Sequence, residues 1–127
     1  MGRSQGEGCY CFVNGLLKTQ IAKLAKNYEY LIIDNEAGME NMSRGTLGKV
    51  DLLLLISDCS KRGIRTVARL RDLAEELDLK IPEIGLIVNR APNGSITEAI
   101  GDEIENQNLK LVGIVPQDDA VFEYDSY

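Results

Sequence analysis

The hydrophobic and polar positions of this chain fall into two kinds of pattern that alternate along its length. Short apolar runs predict β-strands, and stretches with apolar residues three and four apart predict α-helices. The predicted strands cover residues 31–34, 51–58, 83–90 and 110–116. The predicted helices cover residues 14–28, 39–47, 60–79 and about 95–107. This order predicts an α/β fold with a parallel sheet, right-handed crossovers and helices on both faces.

Local signals refine the ends of these elements. Asn14 is a candidate N-cap for the first helix, and Pro82 is expected to stop the helix over 60–79. The sequence Ser-Ile-Thr-Glu at 95–98 has the spacing of a capping box, which predicts a helix start there. The run LLLLIS within 51–58 is continuously apolar, which is typical of a parallel strand covered on both faces.

The stretch YLIIDNEAG at 30–38 carries the clearest functional signal. It places Asp34 at the predicted carboxyl end of a buried strand, with Gly38 four residues later. Other polar residues follow the later strands in the same way, at Asp58, at Asn89 with Arg90, and at Pro116 to Asp118. Ligands of parallel α/β sheets bind beyond the carboxyl ends of the strands. The alternative interpretation is an ordinary buried strand followed by a turn.

Composition narrows the functional classes. A chain of 127 residues with 44% hydrophobic and 27% charged residues supports a single domain, 1–127. The net charge of −6 argues against binding to nucleic acid or to an anionic membrane. Histidine is absent, so catalysis would depend on carboxylates, lysine, thiols or water. Three cysteines without an apolar leader, and no apolar stretch of about 20 residues, predict a cytoplasmic protein.

Several motifs together resemble one family. These are GCYCFVN at 8–14, IIDNEAGMENMSRGT at 32–46, SDCSKRGI at 57–64, LIVNR at 86–90 and GIVPQD at 113–118. They resemble CooC, a family of nucleotide-dependent accessory proteins for nickel insertion into carbon monoxide dehydrogenase. That family belongs to the MinD and nitrogenase-iron-protein class of P-loop ATPases. The resemblance spans nearly the whole chain.

The resemblance implies roles for residues on the nucleotide side, with ATP or ADP and Mg²⁺ as cofactors. Asp34 matches the catalytic switch aspartate that reaches Mg²⁺ through water, and Gly38 matches the glycine whose amide senses the γ-phosphate. Asn89 matches the residue that bonds the adenine edge, with Arg90 beside it. The alternative interpretation of Asn89 is a turn-forming residue at a strand end.

Further matches concern the adenine loop and a metal. Pro116 and Asp118 match the loop that closes over the adenine, and Cys9 and Cys11 match a metal-binding pair at a dimer interface. Two thiolates half-fill a tetrahedral site, so a two-fold homodimer would complete a Cys₄ site for Zn²⁺ or Ni²⁺. The alternative is two small thiols packed at a helix start, and Cys59 is expected to be such a packed core thiol.

The sequence departs from the family in one large respect. The class carries a phosphate loop near its start, whereas GTLGKV at 45–50 fails the G-x-x-x-x-G-K-[S/T] spacing. The chain therefore resembles the carboxyl-side part of such a domain. In the family a further strand lies between the strands predicted at 31–34 and 51–58. Either those two pair directly here, or another chain fills the gap.

The leading functional hypothesis is a CooC-like, ATP-dependent metallochaperone fragment, expected to be inactive as an ATPase by itself, with carbon monoxide dehydrogenase as client. The first alternative is a non-catalytic dimerisation and metal-binding module, and the second is another ATPase of the MinD or ParA class. A phosphoacceptor receiver domain is disfavoured, because Asn89 and Arg90 stand where its lysine is expected. The acidic end FEYDSY disfavours membrane positioning.

Overall fold

The computed structural model describes residues 10–35, 38 and 49–125. The chain divides into two compact units, 1–49 and 50–127, each of which is described by itself. The predicted helix over 39–47 lies outside the described residues. Among the described helices, none is both long enough and apolar enough to cross a membrane.

The first unit contains one described helix, α1 (Tyr10–Asn27). The predicted helix is confirmed in type, but it begins four residues earlier than expected. Asn14 therefore lies inside α1 and is not its N-cap. On the next turn, the Thr19 hydroxyl donates a hydrogen bond to the carbonyl of Gly15 at 2.9 Å. A hydroxyl that bonds back along the helix in this way leaves the α-helical ladder in place.

The predicted strand over 31–34 is wrong for the described chain. Residues 30–35 form neither helix nor strand, and the Ile32 side chain is 91% exposed. A β-strand requires a neighbouring strand for its backbone hydrogen bonds, and none of the described strands pairs with this segment. The apolar run has the residue types that are typical of a strand, but residue type does not supply a pairing partner.

The second unit is a βαβαβ arrangement. Its strands are β1 (Leu52–Asp58), β2 (Glu83–Ala91) and β3 (Leu111–Pro116). Its helices are α2 (Lys61–Glu76), α3 (Glu98–Asn106) and α4 (Asp119–Asp125), with a 3₁₀ turn at Pro92–Gly94. All the described strand pairs are parallel, in the order β1-β2-β3. The predicted parallel α/β fold is confirmed.

The core of this unit lies between the sheet and helices α2 and α3. It is built from aliphatic residues of β1, β2, α2 and α3, and its largest fully buried side chains are Ile64, Leu86 and Val88. Cys59 is half-buried against this core as a free thiol, as predicted. Burial of such side chains is the main term that stabilises the arrangement.

Within the second unit, β1 is covered on one face only. Its burial alternates along the strand, with Leu55 buried while Leu54 and Ile56 are 43% and 53% exposed. The expectation that this run is covered on both faces is therefore wrong within the second unit. The reason is that α2 and α3 pack into one core and share one face of the sheet. A helix layer on the opposite face stays a prediction.

Two helix ends differ from the predicted ones. The helix α3 begins at Glu98, with Thr97 rather than Ser95 as its N-cap, because the 3₁₀ turn leaves Ser95 extended. The Ser95–Glu98 capping box is therefore absent. The helix α2 ends at Glu76, several residues before Pro82, with Leu77 as its C-cap. Its N-cap is Ser60, whose hydroxyl accepts a hydrogen bond from the Gly63 N–H at 3.0 Å.

An ion pair joins α2 to α3. The guanidinium of Arg65 donates to both carboxylate oxygens of Glu103, at 2.8 and 3.0 Å, and Gln107 donates a third hydrogen bond at 3.0 Å. Glu103 is only 5% exposed. The hydrogen bond from Arg65, followed by that from Gln107, lowers the pKa of Glu103 to about 2. A buried carboxylate is stable here because both of its oxygens accept hydrogen bonds and one donor is a cation.

Candidate functional site

The carboxyl ends of the three strands bring several predicted site residues to one edge of the sheet. In the register of the sheet, Asp58 pairs with Asn89, and Ala91 pairs with Pro116. We call this edge the carboxyl rim and define it by five residues: Asp58, Asn89, Arg90, Pro116 and Asp118. Asn89 lies two residues before the end of β2, and Pro116 is the last residue of β3. Both therefore lie at the edge of the sheet where parallel sheets bind ligands.

The end of β2 carries a β-bulge. Val88 pairs with Ile114 and Ala91 pairs with Pro116, so Asn89 and Arg90 together face one residue of β3. Arg90 has a left-handed backbone, with φ of 55°. The Asn89 side-chain oxygen Oδ1 accepts a hydrogen bond from the Arg90 N–H at 2.9 Å. Bulges of this kind redirect side chains and are common beside active sites.

The segments that leave β2 and β3 are tied to each other. The Gln117 N–H donates to the carbonyl of Ala91 at 3.0 Å. The turn after β2 contains Asn93 and Gly94, both with positive φ, of 56° and 69°. A Cβ placed on Gly94 would lie 3.6 Å from the Pro116 Cβ, which is an ordinary contact, so the left-handed φ is what favours glycine there.

The carboxylate of Asp118 uses one oxygen in a hydrogen bond to the nearby backbone. Its Oδ1 accepts a hydrogen bond from the Ala120 N–H at 2.9 Å, at the start of α4. The helix α4 was not anticipated from the sequence, because seven residues at an acidic end give too short a pattern to recognise. Asp118 thus caps the first turn of α4 through this bond.

Asp58 is held at the start of α2. The Ser60 hydroxyl donates to Asp58 Oδ1 at 2.6 Å, and the Gly63 N–H donates to the Ser60 oxygen. A Cβ on Gly63 would overlap Asp58 Oδ1, and it would lie 2.5 Å from the Ser57 hydroxyl. The sequence analysis did not single out Gly63. Its signal is the glycine inside the first turn of a helix, where alanine is otherwise the better helix former.

Asp34 and Gly38 lie in the first unit. Asp34 is exposed, and it follows the irregular segment after α1. Gly38 has φ of 103°, a backbone conformation that requires glycine. The side-chain amide of Asn35 donates to the Ile33 carbonyl at 3.3 Å, next to Asp34. That Asp34 and Gly38 contribute to the same nucleotide site as the carboxyl rim stays a prediction.

The predicted metal pair of Cys9 and Cys11 stays a prediction. Cys9 and the side chain of Cys11 lie outside the described part of the chain, and the backbone of Cys11 belongs to α1. Within residues 10–35, 38 and 49–125, no group of three or more histidine, cysteine, aspartate or glutamate side chains could hold a metal ion. A cysteine pair shared between two chains would not form such a group in one chain, so the prediction stands as before.

Comparison with known proteins places the chain in a family. Residues 18–127 match the CbiA family, the CobQ/CobB/MinD/ParA nucleotide binding domain. The chain belongs to this family. Its fold is similar to that of a ParA family ATPase from Chlorobium tepidum, with a TM-score of 0.72 and 25% identity, over 94% of this chain and 50% of that one.

Two curated relatives are similar over most of this chain. An uncharacterized ATP-binding protein of Methanocaldococcus jannaschii is 42% identical over 98% of this chain and 49% of its own length. The carbon monoxide dehydrogenase accessory protein CooC of Rhodospirillum rubrum is 33% identical over 91% of this chain and 43% of its own length. The chain therefore spans about half the length of the curated relatives it matches.

Proposed function

We propose that this chain is the carboxyl-side part of a CooC-like ATPase domain, in which a purine nucleotide at the carboxyl rim is coupled to a metal held by cysteines. The observation that carries the proposal is the set of polar and turn-forming groups at the ends of β2 and β3. There Asn89 pairs in register with Asp58, and Pro116 pairs with Ala91. Family membership and the similarity to CooC support it.

The chemistry of the rim suits the base of a nucleotide. A carboxamide such as Asn89 donates and accepts hydrogen bonds at once, which matches the mixed edge of a purine. The proline ring of Pro116 offers an apolar surface, and the Asp118 carboxylate offers an acceptor. Asn89 is half-buried, whereas Pro116 and Asp118 are exposed and accessible to a ligand.

The groups that would contact Mg²⁺ and the phosphates of the nucleotide belong to the first unit. Asp34 would hold Mg²⁺ through water, and the Gly38 amide would contact the γ-phosphate. Bound ATP would supply the phosphoryl group for transfer to water. The 127 residues contain no phosphate loop motif, so we propose that this chain alone binds ATP weakly and does not hydrolyse it.

The metal is proposed as cargo. Cys9 and Cys11 would bind Ni²⁺ or Zn²⁺ between two copies of the chain, since two thiolates from each copy complete a tetrahedral set. The relative from Rhodospirillum rubrum is named as an accessory protein of carbon monoxide dehydrogenase, which makes that enzyme the proposed client. Nucleotide binding would bias the dimer interface and thereby the metal affinity.

A metal titration tests this proposal. Zn²⁺ or Ni²⁺ is titrated into the chain with and without Mg²⁺-ATP, and the mass of the complex is measured by light scattering. We expect one ion per two chains, lost in Cys9→Ser and Cys11→Ser and kept in the matched control Cys59→Ser. Binding that survives both cysteine substitutions would contradict the metal role.

Two alternatives remain distinct from the proposal. A non-catalytic dimerisation and metal-binding module is favoured by the lack of a phosphate loop motif in this sequence. The same titration separates it from the switch, because the module binds metal with an affinity that ATP does not change. Another ATPase of the MinD or ParA class is favoured by the similarity of the sheet to the ParA structure. On that alternative, the protein to which this chain belongs would bind nucleotide without a cysteine-bound metal.

A further inference from the structure

The turn that follows β2 contains an asparagine followed directly by a glycine, Asn93 and Gly94. Both residues have positive φ, of 56° and 69°, which is the backbone pattern of a type I′ turn. Both are exposed, and no described group of the protein forms a hydrogen bond with the Asn93 side chain. The Asn93 carboxamide is therefore accessible to its own backbone and to water.

An Asn-Gly sequence permits a reaction within the chain. The backbone nitrogen of Gly94 attacks Cγ of Asn93, and the bond from Cγ to Nδ2 breaks. Nδ2 leaves as ammonia with the proton that the Gly94 nitrogen gives up, and a five-membered succinimide ring remains. Water then opens the ring at either carbonyl, which gives aspartate or isoaspartate without oxidation or reduction. Glycine favours the attack because it has no Cβ to crowd its nitrogen.

The folded turn controls how often this attack can occur. At its ψ of 20°, Asn93 holds the Gly94 nitrogen away from Cγ, so the chain first has to rotate about the Cα–C bond. The Ser95 N–H closes the turn by donating to the Pro92 carbonyl at 3.3 Å, which is longer than the usual value of about 2.9–3.0 Å. An exposed turn closed by a long hydrogen bond opens more readily than a helix or a strand.

The surrounding structure distinguishes this pair from similar residues elsewhere in the chain. Asn14 and Gly15 form the second Asn-Gly sequence, but their backbone lies inside α1, where the helical hydrogen bonds hold it. Asn108 shares the positive φ, at 53°, but Leu109 follows it, and its side chain crowds the backbone nitrogen. Asn93 alone of these three asparagines combines a following glycine with an exposed turn.

We propose that Asn93 is a site of deamidation, at which opening of the turn leads to aspartate and isoaspartate. Isoaspartate has the larger effect, because it places Cβ in the main chain and lengthens the turn by one atom. Gly94 lies against Pro116, since a Cβ built on it would be 3.6 Å from the Pro116 Cβ. A longer turn displaces Gly94 from this contact, so the modification reaches the carboxyl rim. The inference does not depend on nucleotide binding.

Mass spectrometry of the purified chain, aged at mildly alkaline pH and then digested, tests the proposal. We expect the peptide that contains Asn93 to show the mass gain of deamidation about 10-fold faster than those that contain Asn14 or Asn108. Its two products should separate by chromatography, and one should coelute with the peptide from Asn93→Asp. Asn93→Gln should lack the gain, because its longer side chain would have to form a six-membered ring.

A chain aged in urea supplies the control for the folded structure. There the peptides that contain Asn93 and Asn14 should react at equal rates, because both precede glycine. If the folded chain modifies Asn93 no faster than Asn108 or Asn14, the proposal is overturned. A mass gain that persists unchanged in Asn93→Gln would overturn it as well.

Hydrogen exchange of the Gln117 amide tests the effect on the carboxyl rim, because this N–H donates to the Ala91 carbonyl at 3.0 Å beside the turn. The separated isoaspartate form should exchange roughly 2- to 10-fold faster than the fresh chain, since this hydrogen bond is weakened. Asn93→Asp keeps the normal backbone and should exchange like the wild type. Equal exchange in the isoaspartate form and the fresh chain would contradict the effect on the rim.

Discussion

At the scale of single residues, the carboxyl rim depends on glycine where another side chain would collide with functional groups. Gly63 lies in the first turn of α2, beside the Asp58 carboxylate and the Ser57 hydroxyl. Ser60 bridges the same turn, since it donates to Asp58 and accepts from Gly63. The position of Asp58 on the rim is therefore coupled to the absence of a side chain five residues later.

We expect Gly63→Ala to destabilise the protein by about 1–3 kcal/mol, because the new methyl group has to displace Asp58 or shift the helix. The free energy of unfolding in urea measures this. The matched control is Gly101→Ala in α3, where an added Cβ meets nothing within 4 Å. There the better helix former should stabilise by about 0.5–1 kcal/mol. Equal effects of the two substitutions would contradict the collision at Gly63.

The sequence predicts some residues of the carboxyl rim but not the backbone conformation of Arg90. Asn89, Pro116 and Asp118 could be singled out because polar and turn-forming residues followed apolar runs. The left-handed conformation of Arg90 could not, because it arises from the mismatch between the registers of β2 with β1 and with β3. Arginine has no local preference for this conformation. The conformation is dictated by partners far away in the sequence.

At the scale of elements, the second unit is held together by contacts between its two long helices as well as by its core. Arg65 and Glu103 join α2 to α3 through two hydrogen bonds, and Arg71 donates to the carbonyl of Gln107 at 2.6 Å. The latter bond satisfies a carbonyl at the end of α3 that the helix leaves unpaired. These contacts join the two helices that cover one face of the sheet.

The ion pair between these helices makes stability depend on pH. The pKa of Glu103 is about 2 in the folded protein, against an ordinary value of 4.5. A carboxyl whose pKa is lowered by folding stabilises the protein fully above the ordinary value, and this contribution is lost as the pH falls through the folded value. We therefore expect the contribution to fade between about pH 4.5 and pH 2.

Urea unfolding of the wild type and Glu103→Gln across this range measures the effect. The wild type should be the more stable at neutral pH, and the difference should shrink as the pH falls. Glu105→Gln, at an exposed position of the same helix, is the control and should show no such trend. A difference between the wild type and Glu103→Gln that stays constant from pH 7 to pH 2 would contradict the ion pair.

Elements differ in how well the sequence predicts them. The helices α1 and α2 and the strands β1 to β3 follow long or strongly apolar patterns, and all were predicted in type. The start of α3 was placed too early because the Ser95–Glu98 spacing satisfies a capping box, although the 3₁₀ turn at Pro92–Gly94 occupies the preceding segment. The segment 31–34 has the residues of a strand but no described partner, so its pattern alone could not decide its structure.

At the scale of the whole molecule, the chain belongs to a nucleotide-binding family but spans about half the length of its curated relatives. The groups proposed to read the base lie in the second unit, whereas those proposed to contact Mg²⁺ and the γ-phosphate lie in the first. The lysine and amides that cradle phosphates in P-loop proteins have no counterpart motif in this sequence.

This division predicts the behaviour of the isolated chain as an enzyme. Purified chain incubated with Mg²⁺-ATP should release phosphate no faster than a blank, because the transition-state charge on the phosphoryl group has no cradle. A phosphate-release assay measures this, with Asp34→Asn as the control for contaminating activity. Turnover that exceeds the blank and disappears in Asp34→Asn would contradict the expectation.

The central claim is that the carboxyl rim is a purine nucleotide site, and an NMR titration of the labelled chain with ATP tests it most directly. Without a phosphate cradle, the dissociation constant should be about 1 mM or weaker. We expect chemical-shift changes concentrated at Asn89, Arg90, Asp118 and the carbon signals of Pro116, and reduced in Asn89→Ala. Changes at the amino ends of the strands, around Leu52, Glu83 and Leu111, with none at the rim, would contradict it.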